Sequence, residues 1–379
     1  MAPLTQSLLL GVGMAGYLEC DGVLELADGH PSAQPGFQLA VEVSGGRIAS
    51  ADLRVGLMHR GSEKLFEARD YRQLMMLANR HDWLSPFSSE LVIALAVEAA
   101  TGITPPERAT WMRTFLAEAN RVAAAFAFLA AVASRPGQRR LLQDGRERLL
   151  ALQEVLTGAR VHPMFTRIGG VAAPWPVADV SQAAAVSAGL ADATTCAGEV
   201  AEGLSERLAG LAVLTREQAV DLGASGSVGR ASGLDWDLRR DDPYAAYPEL
   251  ADLLVVPVEQ AGDAAARYRV LAEQVPVSLA LMRACADRLH ALGEGPVDVL
   301  LPKSVRVPEG TGYAWVEGPL GSTGCLLVST GERTPWRLKV RSASFGNAQA
   351  MVPALTGVPY DRLADALMSF TFVVGDIDR

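Results

Sequence analysis

Residues 107–133 read ERATWMRTFLAEANRVAAAFAFLAAVA, and the class of fold follows from this stretch. Its apolar residues recur every three or four positions, which is the spacing of an α-helix that buries one side. Pro105 and Pro106 precede it, and proline is favoured at the start of a helix. The same spacing predicts further helices at residues 62–77, 88–100, 146–156, 181–211 and 261–292. The centre of the chain is therefore predicted to be a helical bundle.

The two ends of the chain carry strand patterns instead. Residues 37–43 alternate apolar and polar, Gly45 and Gly46 follow, and residues 48–55 resume an extended pattern, which predicts a β-hairpin. Near the C-terminus, the pattern predicts three short strands at residues 313–316, 325–329 and 336–341. A hairpin turn is predicted at residues 330–333.

Together these elements predict an α+β fold: mainly an α-helical bundle, with an N-terminal β-hairpin and a small C-terminal antiparallel sheet. We expect an N-terminal segment with the hairpin at residues 1–57, a helical core at 58–300, and the sheet with the last helices at 301–379. The composition marks no clean cut between them, so one continuous body is expected. Residues 221–233 are predicted to form a Gly/Ser loop within the bundle.

Composition excludes several classes of protein. The net charge is −9, which argues against a nucleic-acid partner, since phosphate binding needs clustered Lys and Arg. Hydrophobic residues make up 49% of the chain, enough for a large core and for faces buried against other subunits. The longest apolar run, residues 122–133, is shorter than the roughly 20 residues of a membrane span. We therefore expect any membrane association to come through partners.

The sequence lacks several known cofactor-binding and catalytic motifs, and it shows the letters of one more without the elements that motif needs. Residues 11–16 read GVGMAG, the letters of a dinucleotide fingerprint, but no βαβ unit follows, so a flexible N-terminal segment is the better interpretation. The phosphate loop, zincin and α/β-hydrolase signatures are missing from the sequence. The four cysteines, Cys20, Cys196, Cys285 and Cys325, are too far apart for a local zinc or cluster site.

Long blocks of the chain nevertheless resemble one family, the 49 kDa (or D) subunit of complex I, the NADH:quinone oxidoreductase, which is related to the nickel-iron hydrogenase large subunit. The blocks stand in family order from about residue 21 to the last residue. They are GLMHRGSEKL at 56–65, RDY at 69–71, LAVE at 95–98, RIGGV at 167–171, DLG at 221–223, RASG at 230–233, WDLR at 236–239, RLKVRSASF at 337–345 and GDIDR at 375–379.

A working nickel-iron hydrogenase is the alternative within this superfamily. Such an enzyme needs two pairs of cysteine thiolates, one near the first block and one at the C-terminus. Here those regions read NRHDWL at 79–84 and GDIDR at 375–379, without a cysteine. The resemblance therefore implies a hydrogenase-like fold without a nickel site, and we expect the chain itself to bind no cofactor.

The resemblance implies two catalytic residues on the side of an iron-sulfur cluster. In the family, this subunit packs against a small subunit that carries the terminal cluster, and the cavity between them receives the quinone. Arg60 matches the arginine of the "HRG" block, close to the cluster, and His162 matches a histidine that exchanges protons as the cluster is reduced. A surface salt bridge for Arg60 and a helix-capping role for His162 are the purely structural alternatives.

The resemblance also implies a quinone-binding set, His30, Gln34, Trp83 and Asp378, and part of it departs from the family pattern. The family loop "GPQHPSTHG" reads DGHPSAQPG at 28–36, so His30 is kept but Gln34 replaces the second histidine. Trp83 replaces a tyrosine. An indole donates one hydrogen bond but gives up no proton at physiological pH, and an amide does not cycle a proton as imidazole does.

The resemblance thus implies a subunit of a proton-translocating NADH:quinone oxidoreductase, with quinone as the substrate and a neighbouring iron-sulfur cluster on a partner. Its expected partners are the iron-sulfur small subunit and other complex I subunits, including those of the membrane arm. Its expected location is peripheral, on the cytoplasmic face of a bacterial plasma membrane. The altered quinone loop keeps a second hypothesis open, a degenerate paralogue that acts as a scaffold or assembly subunit.

Overall fold

A computed structural model of the protein describes residues 4–10, 21–33 and 36–378. The helices are α1 (Ser62–Glu67), α2 (Leu74–Ala78), α3 (Pro86–Thr101), α4 (Glu107–Val132), α5 (Pro136–Thr157), α6 (Val177–Ala188), α7 (Ala191–Leu208), α8 (Arg216–Asp221), α9 (Gly226–Ala231), α10 (Leu238–Asp241), α11 (Ala264–Leu292), α12 (Ala343–Leu355), α13 (Leu363–Met368) and α14 (Val374–Ile377). The strands are β1 (Leu4–Leu10), β2 (Gly22–Leu24), β3 (Gln38–Ser44), β4 (Arg47–Arg54), β5 (Thr166–Arg167), β6 (Gly170–Val171), β7 (Gly310–Gly318), β8 (Gly321–Ser329) and β9 (Arg337–Arg341).

The longest helices form the predicted bundle, in which α4 packs against α5 and α11. Phe115, Phe126 and Leu129 of α4 are 0% exposed, so this helix lies at the centre of the core. Within the described part of the chain, α4 is the one helix long and apolar enough to cross a bilayer, but 89% of its most apolar window is buried inside the protein. That burial is what a core helix of a folded domain requires.

The N-terminal hairpin forms as predicted, within a larger sheet of order β2-β1-β3-β4. Strands β3 and β4 pair antiparallel, and Gly45 (φ 59°) and Gly46 (φ 75°) make the turn between them in the left-handed region that glycine tolerates. The hairpin is tied to the C-terminal part of the chain by three backbone hydrogen bonds: Ile48 N–H donates to Val358 O (2.9 Å), Gly357 N–H donates to Ile48 O (2.8 Å) and Tyr360 N–H donates to Gly46 O (3.0 Å).

The C-terminal sheet also forms as predicted, with β7, β8 and β9 antiparallel in sequence order. Together with the helical bundle and the N-terminal sheet, it confirms the predicted α+β class. Strands β7 and β8 are longer than their apolar pattern indicated, because glycines at both ends of β7 continue the ladder without contributing a side chain to the pattern.

Four predicted segments differ in detail from the structure. The helix predicted at 146–156 is α5, which begins ten residues earlier, at Pro136. The helix predicted at 62–77 is two short helices, because the Asp70 carboxylate caps a turn between them by accepting from Arg72 N (3.0 Å) and Gln73 N (3.1 Å). The helix predicted at 181–211 breaks at Gly189 into α6 and α7. The predicted Gly/Ser loop contains the short helix α9.

A buried network of three arginines and three carboxylates crosslinks α4, α9, α10 and β7. Its members are Glu118, Arg121, Arg230, Asp237, Arg239 and Glu317, each at most 1% exposed. Glu118 accepts from Arg239 Nη1 (3.1 Å) and from the Tyr247 hydroxyl (2.6 Å). The three positive charges balance the three negative ones, as buried charges must be.

Candidate functional site

Four segments that are distant in sequence meet at one end of α3. They are the loop at residues 56–61 before α1, residues 79–85 between α2 and α3, residues 160–166 before β5, and the C-terminal residues 376–378. Hydrogen bonds between them fix the positions of the predicted site residues.

Asp378 holds the first of these loops in place. Its carboxylate accepts from Gly56 N at 2.7 Å and from Met58 N at 2.8 Å, and its carbonyl oxygen lies 3.1 Å from His59 Nδ1. Asp378 is 4% exposed. The residue that the resemblance placed at the quinone is therefore bonded, through both carboxylate oxygens, to the backbone of the loop that carries Arg60.

The same loop presents apolar side chains to the outside. Leu57 is 37% exposed and Met58 is 44% exposed, and they precede the exposed Arg60. Methionine and arginine are enriched at protein interfaces relative to the rest of protein surfaces. We call residues 56–61 the HRG loop, and its exposed Met58 and Arg60 are of the residue types that interfaces favour.

Arg60 and His162 meet at the segment that follows α2. Arg60 Nη2 donates to Arg80 O at 2.9 Å, and His162 Nδ1 lies 3.0 Å from Asn79 O and 2.8 Å from Asn79 Oδ1. Burial lowers the pKa of His162, and the charges of Arg80 and then Arg60 lower it further, against the hydrogen bond to Asn79. The structure thus brings the two predicted catalytic residues together, and it adds Arg80 as a second cation.

His30 lies in the interior of the protein, 3% exposed, with its ring edge-on to Phe128 of α4 at 5.4 Å between centroids. Its Nδ1 accepts from Ser32 N at 3.2 Å, so the ring hydrogen is on Nε2 and donates to Met368 O at 3.0 Å. Burial lowers its pKa to about 4. His30 is therefore neutral near pH 7, and both of its nitrogens are bonded to the backbone.

Trp83 offers a free donor. Its Nε1 is buried and makes no hydrogen bond, and it lies at a recess that Asn120 of α4 and Arg146 of α5 also line. Asn120 Oδ1 and Arg146 Nε are likewise buried without a partner. Two donors and one acceptor therefore share this recess. Its volume is about 10 Å³, about the space that one water molecule needs.

His30 and Trp83 lie against the same face of α4. The Trp83 recess includes Asn120 and Ala124, and the His30 ring packs edge-on against Phe128. Asn120, Ala124 and Phe128 follow one another at intervals of four positions, so their side chains form one stripe along α4. Trp83 and His30 contact this stripe about one helical turn apart. Gln34 lies outside the described residues, and so do Cys20 and the glycine motif at 11–16.

Sequence reasoning missed Asn79, Arg80, Asn120 and Arg146. It also missed Glu90 of α3, whose carboxylate accepts from Thr166 N at 2.8 Å. Glu90 had a signal, because it is a carboxylate directly before the apolar run 91–97 of its helix, whereas Asn120 stands beside Arg121 and gave none. Asn79 and Arg146 stand among other polar residues and gave none. In the described part of the chain, no group of three or more His, Cys, Asp or Glu side chains is arranged to hold a metal ion.

Comparison with known proteins identifies the family. A family model described as "Respiratory-chain NADH dehydrogenase, 49 Kd subunit" matches residues 140–305 and 298–379, more than half of the chain. The chain belongs to this family. The family inferred from the sequence blocks is confirmed, and so is the expectation of a subunit of an NADH:quinone oxidoreductase.

Full-length relatives agree with this assignment. The NADH-quinone oxidoreductase D subunit numbered 2 of Salinispora arenicola is 45% identical over 99% of this chain and 98% of its own length. The D subunit numbered 1 of the NADH-quinone oxidoreductase of Streptomyces coelicolor is 45% identical over the whole of both chains. The corresponding D subunit of Geobacillus thermodenitrificans is 32% identical over 94% of this chain and 98% of its own.

Proposed function

We propose that this chain lines the quinone cavity of a proton-translocating NADH:quinone oxidoreductase and helps electrons pass to quinone from an iron-sulfur cluster on a partner subunit. NADH is oxidised on another subunit. The observation that carries the proposal is the Trp83 indole N–H, which is buried, lacks an acceptor and lies on the same face of α4 as His30. A quinone carbonyl is an acceptor that such a donor fits.

The charges near Arg60 support the cluster side of this proposal. Arg60 and Arg80 are fixed cations next to His162, and cations near a cluster favour the arrival of an electron. The His162 imidazole hydrogen-bonds through Nδ1, and no hydrogen bond to Nε2 occurs among the described residues. That nitrogen is available to take a proton when the cluster is reduced.

The exposed HRG loop supports docking on the iron-sulfur small subunit. Leu57 and Met58 are apolar side chains that water contacts in the isolated chain, and a partner surface would cover them. In this proposal the chain sits peripherally on the cytoplasmic face of the plasma membrane, and the other subunits of the complex, including the membrane arm, hold it there.

His30 favours a second candidate, a paralogue that assembles with the complex but has altered or lost quinone chemistry. Its hydrogen bonds to Ser32 N and Met368 O occupy both ring nitrogens, and its pKa of about 4 keeps it unprotonated near pH 7. A histidine in this state hands no proton to a quinone unless the contact with Met368 breaks.

The experiment is affinity purification of the tagged chain from membranes of its native cell, with identification of the proteins that come along. We expect an iron-sulfur small subunit and membrane-arm subunits. The double variant Leu57→Asp, Met58→Asp should lose them, whereas Val255→Asp, at a position that is 66% exposed, should not. Assembly without quinone reduction would favour the second candidate, and recovery of the wild-type chain alone would refute both.

A further inference from the structure

The environment of His162 is set by a residue that does not touch it. Glu90 of α3 is 0% exposed, and its two carboxylate oxygens face three donors. Oε1 accepts from the Asn79 side-chain amide, and Oε2 accepts from Phe165 N (3.0 Å) and Thr166 N (2.8 Å). Glu90 therefore joins the segment after α2 to the segment that carries His162.

The contact with Glu90 decides which way the Asn79 amide points. Because Nδ2 of Asn79 donates to Glu90, Oδ1 faces the other way, toward His162 Nδ1 at 2.8 Å. The backbone oxygen of Asn79 lies 3.0 Å from the same nitrogen. Both neighbours of Nδ1 are acceptors, so the imidazole hydrogen must be on Nδ1, which leaves the lone pair of the neutral ring on Nε2.

Different charged side chains act on His162 and on Glu90. The fixed cations that act on His162 are Arg80 and Arg60, whereas Glu90 is acted on by Arg167. Burial raises the pKa of Glu90 to about 7, against the hydrogen bonds from Thr166 and Asn79 and the charge of Arg167, all of which lower it. The carboxyl group thus gains and loses a proton in the range in which the cell operates.

We propose that Glu90 is a positioning residue for His162 and acts through the side-chain amide of Asn79. It keeps the imidazole hydrogen on Nδ1 and holds Nε2 open for a proton. The inference rests on the proposed function for its biological meaning, since that function gives His162 a proton to take. The arrangement is the amide counterpart of the carboxylates that orient histidines beside metal centres.

The first test measures the tautomer of His162 in the full chain, labelled with ¹⁵N-histidine. The chain has five histidines, and His162→Gln identifies the resonances of this one. We expect the wild-type ring to carry its hydrogen on Nδ1. In Glu90→Gln, one oxygen and one NH₂ group face three donors, so Asn79 loses its fixed orientation and the tautomer ratio should move toward Nε2–H by about fivefold, the factor for one ordinary hydrogen bond.

Ser89→Ala is the matched control, because Ser89 is buried next to Glu90 on the same helix and does not bond to Asn79. It should leave the ratio unchanged. A folded Glu90→Gln protein with the wild-type tautomer ratio would overturn the proposal, as would an equal change in Ser89→Ala.

The second test needs no change at Glu90, so it stands even where Glu90→Gln does not fold. As pH is lowered from 9, the His162 resonances should show a step close to pH 7 from Glu90 before the ring itself is protonated, because burial and the charge of Arg80 hold the pKa of His162 below its ordinary value. Arg60, Arg80 and Arg167 stay charged throughout this range. Burial and the charge of Asp376 raise the pKa of Asp82 to about 8, so the step is assigned in Asp82→Asn, from which that carboxyl is missing. A folded Asp82→Asn protein whose His162 resonances show no step near pH 7 would contradict the proposal.

A measurement on the assembled complex separates this inference from the proposed function. If His162→Met leaves the pH dependence of the cluster midpoint potential unchanged while Glu90→Gln moves the tautomer ratio, the proposed proton role of His162 is wrong and the positioning by Glu90 stands. If His162→Met flattens that dependence but Glu90→Gln changes neither the tautomer ratio nor the potential, the positioning is wrong and the proposed function stands.

Discussion

Replacing Trp83 with phenylalanine removes the one donor on which the quinone proposal depends most. The change keeps an aromatic ring in the contact with Arg146, whose guanidinium carbon lies 6.0 Å from the indole centroid. It deletes Nε1–H, which has no acceptor within the protein. The substitution therefore breaks no hydrogen bond inside the chain. A change in quinone binding then reports the loss of the proposed hydrogen bond from Nε1–H to the quinone.

The expected size follows from that single hydrogen bond. A neutral hydrogen bond contributes about 0.5–1.5 kcal/mol, which corresponds to roughly a twofold to twelvefold rise in the KM for quinone. Because an indole supplies no proton at physiological pH, kcat should change less than KM. Trp336→Phe is the matched control, since Trp336 is 70% exposed.

The assay is NADH:quinone turnover by the purified assembly, at equal iron-sulfur content, over a range of concentrations of a short-chain quinone. We expect KM to rise in Trp83→Phe and to stay at the wild-type value in Trp336→Phe. Unchanged KM and kcat in a fully assembled Trp83→Phe complex would refute the claim that the indole N–H meets the quinone.

Three further predictions concern His162, the buried ionic network and His30. His162→Met should flatten the pH dependence of the midpoint potential of the neighbouring cluster, measured by redox titration at several pH values, with little loss of assembly; an unchanged slope would count against it. Glu118→Ala leaves Arg121 and Arg239 without their shared carboxylate, and urea unfolding should show a loss of about 3–5 kcal/mol, much more than for a surface Glu such as Glu206. Burial lowers the pKa of His30 from 6.5 to about 4 in the folded chain. As pH falls, the unfolded chain is therefore protonated at His30 before the folded chain is. Stability that is fully present above pH 6.5 is lost as pH falls toward 4. His30→Gln should reduce that loss, and equal acid sensitivity of both proteins in urea unfolding between pH 7 and 4.5 would contradict this origin.

The parts of the fold that the sequence predicted are those set by local patterns. The hairpin at Gly45 and Gly46 and the long helix α4 follow from turn chemistry and from apolar spacing, and both lie where they were predicted. Strand β1 was missed, because it pairs with residues of β3 that are 29 to 39 positions away and its own residues carry no alternation. The break at Asp70 depends on a side-chain cap that apolar spacing does not register.

Sequence reasoning predicted only those site residues that match a position in the family blocks. Arg60 and His162 were found in this way, but their meeting depends on a contact of Arg60 with Arg80, 20 residues away, and of His162 with Asn79, 83 residues away. The state of His30 depends on Met368, which is 338 residues away. No spacing within either segment carries that information, so these contacts required the structure.

The central claim is that this chain contacts the quinone, and photoaffinity labelling of the assembly measures it most directly. A light-activated azidoquinone is bound to the purified complex, cross-linked, and mapped by mass spectrometry of the peptides. We predict labelling of the peptide that contains Trp83 or of the loop that contains His30, with loss of the label when excess unmodified quinone competes. Label that competes with quinone but falls only on other subunits would contradict the claim.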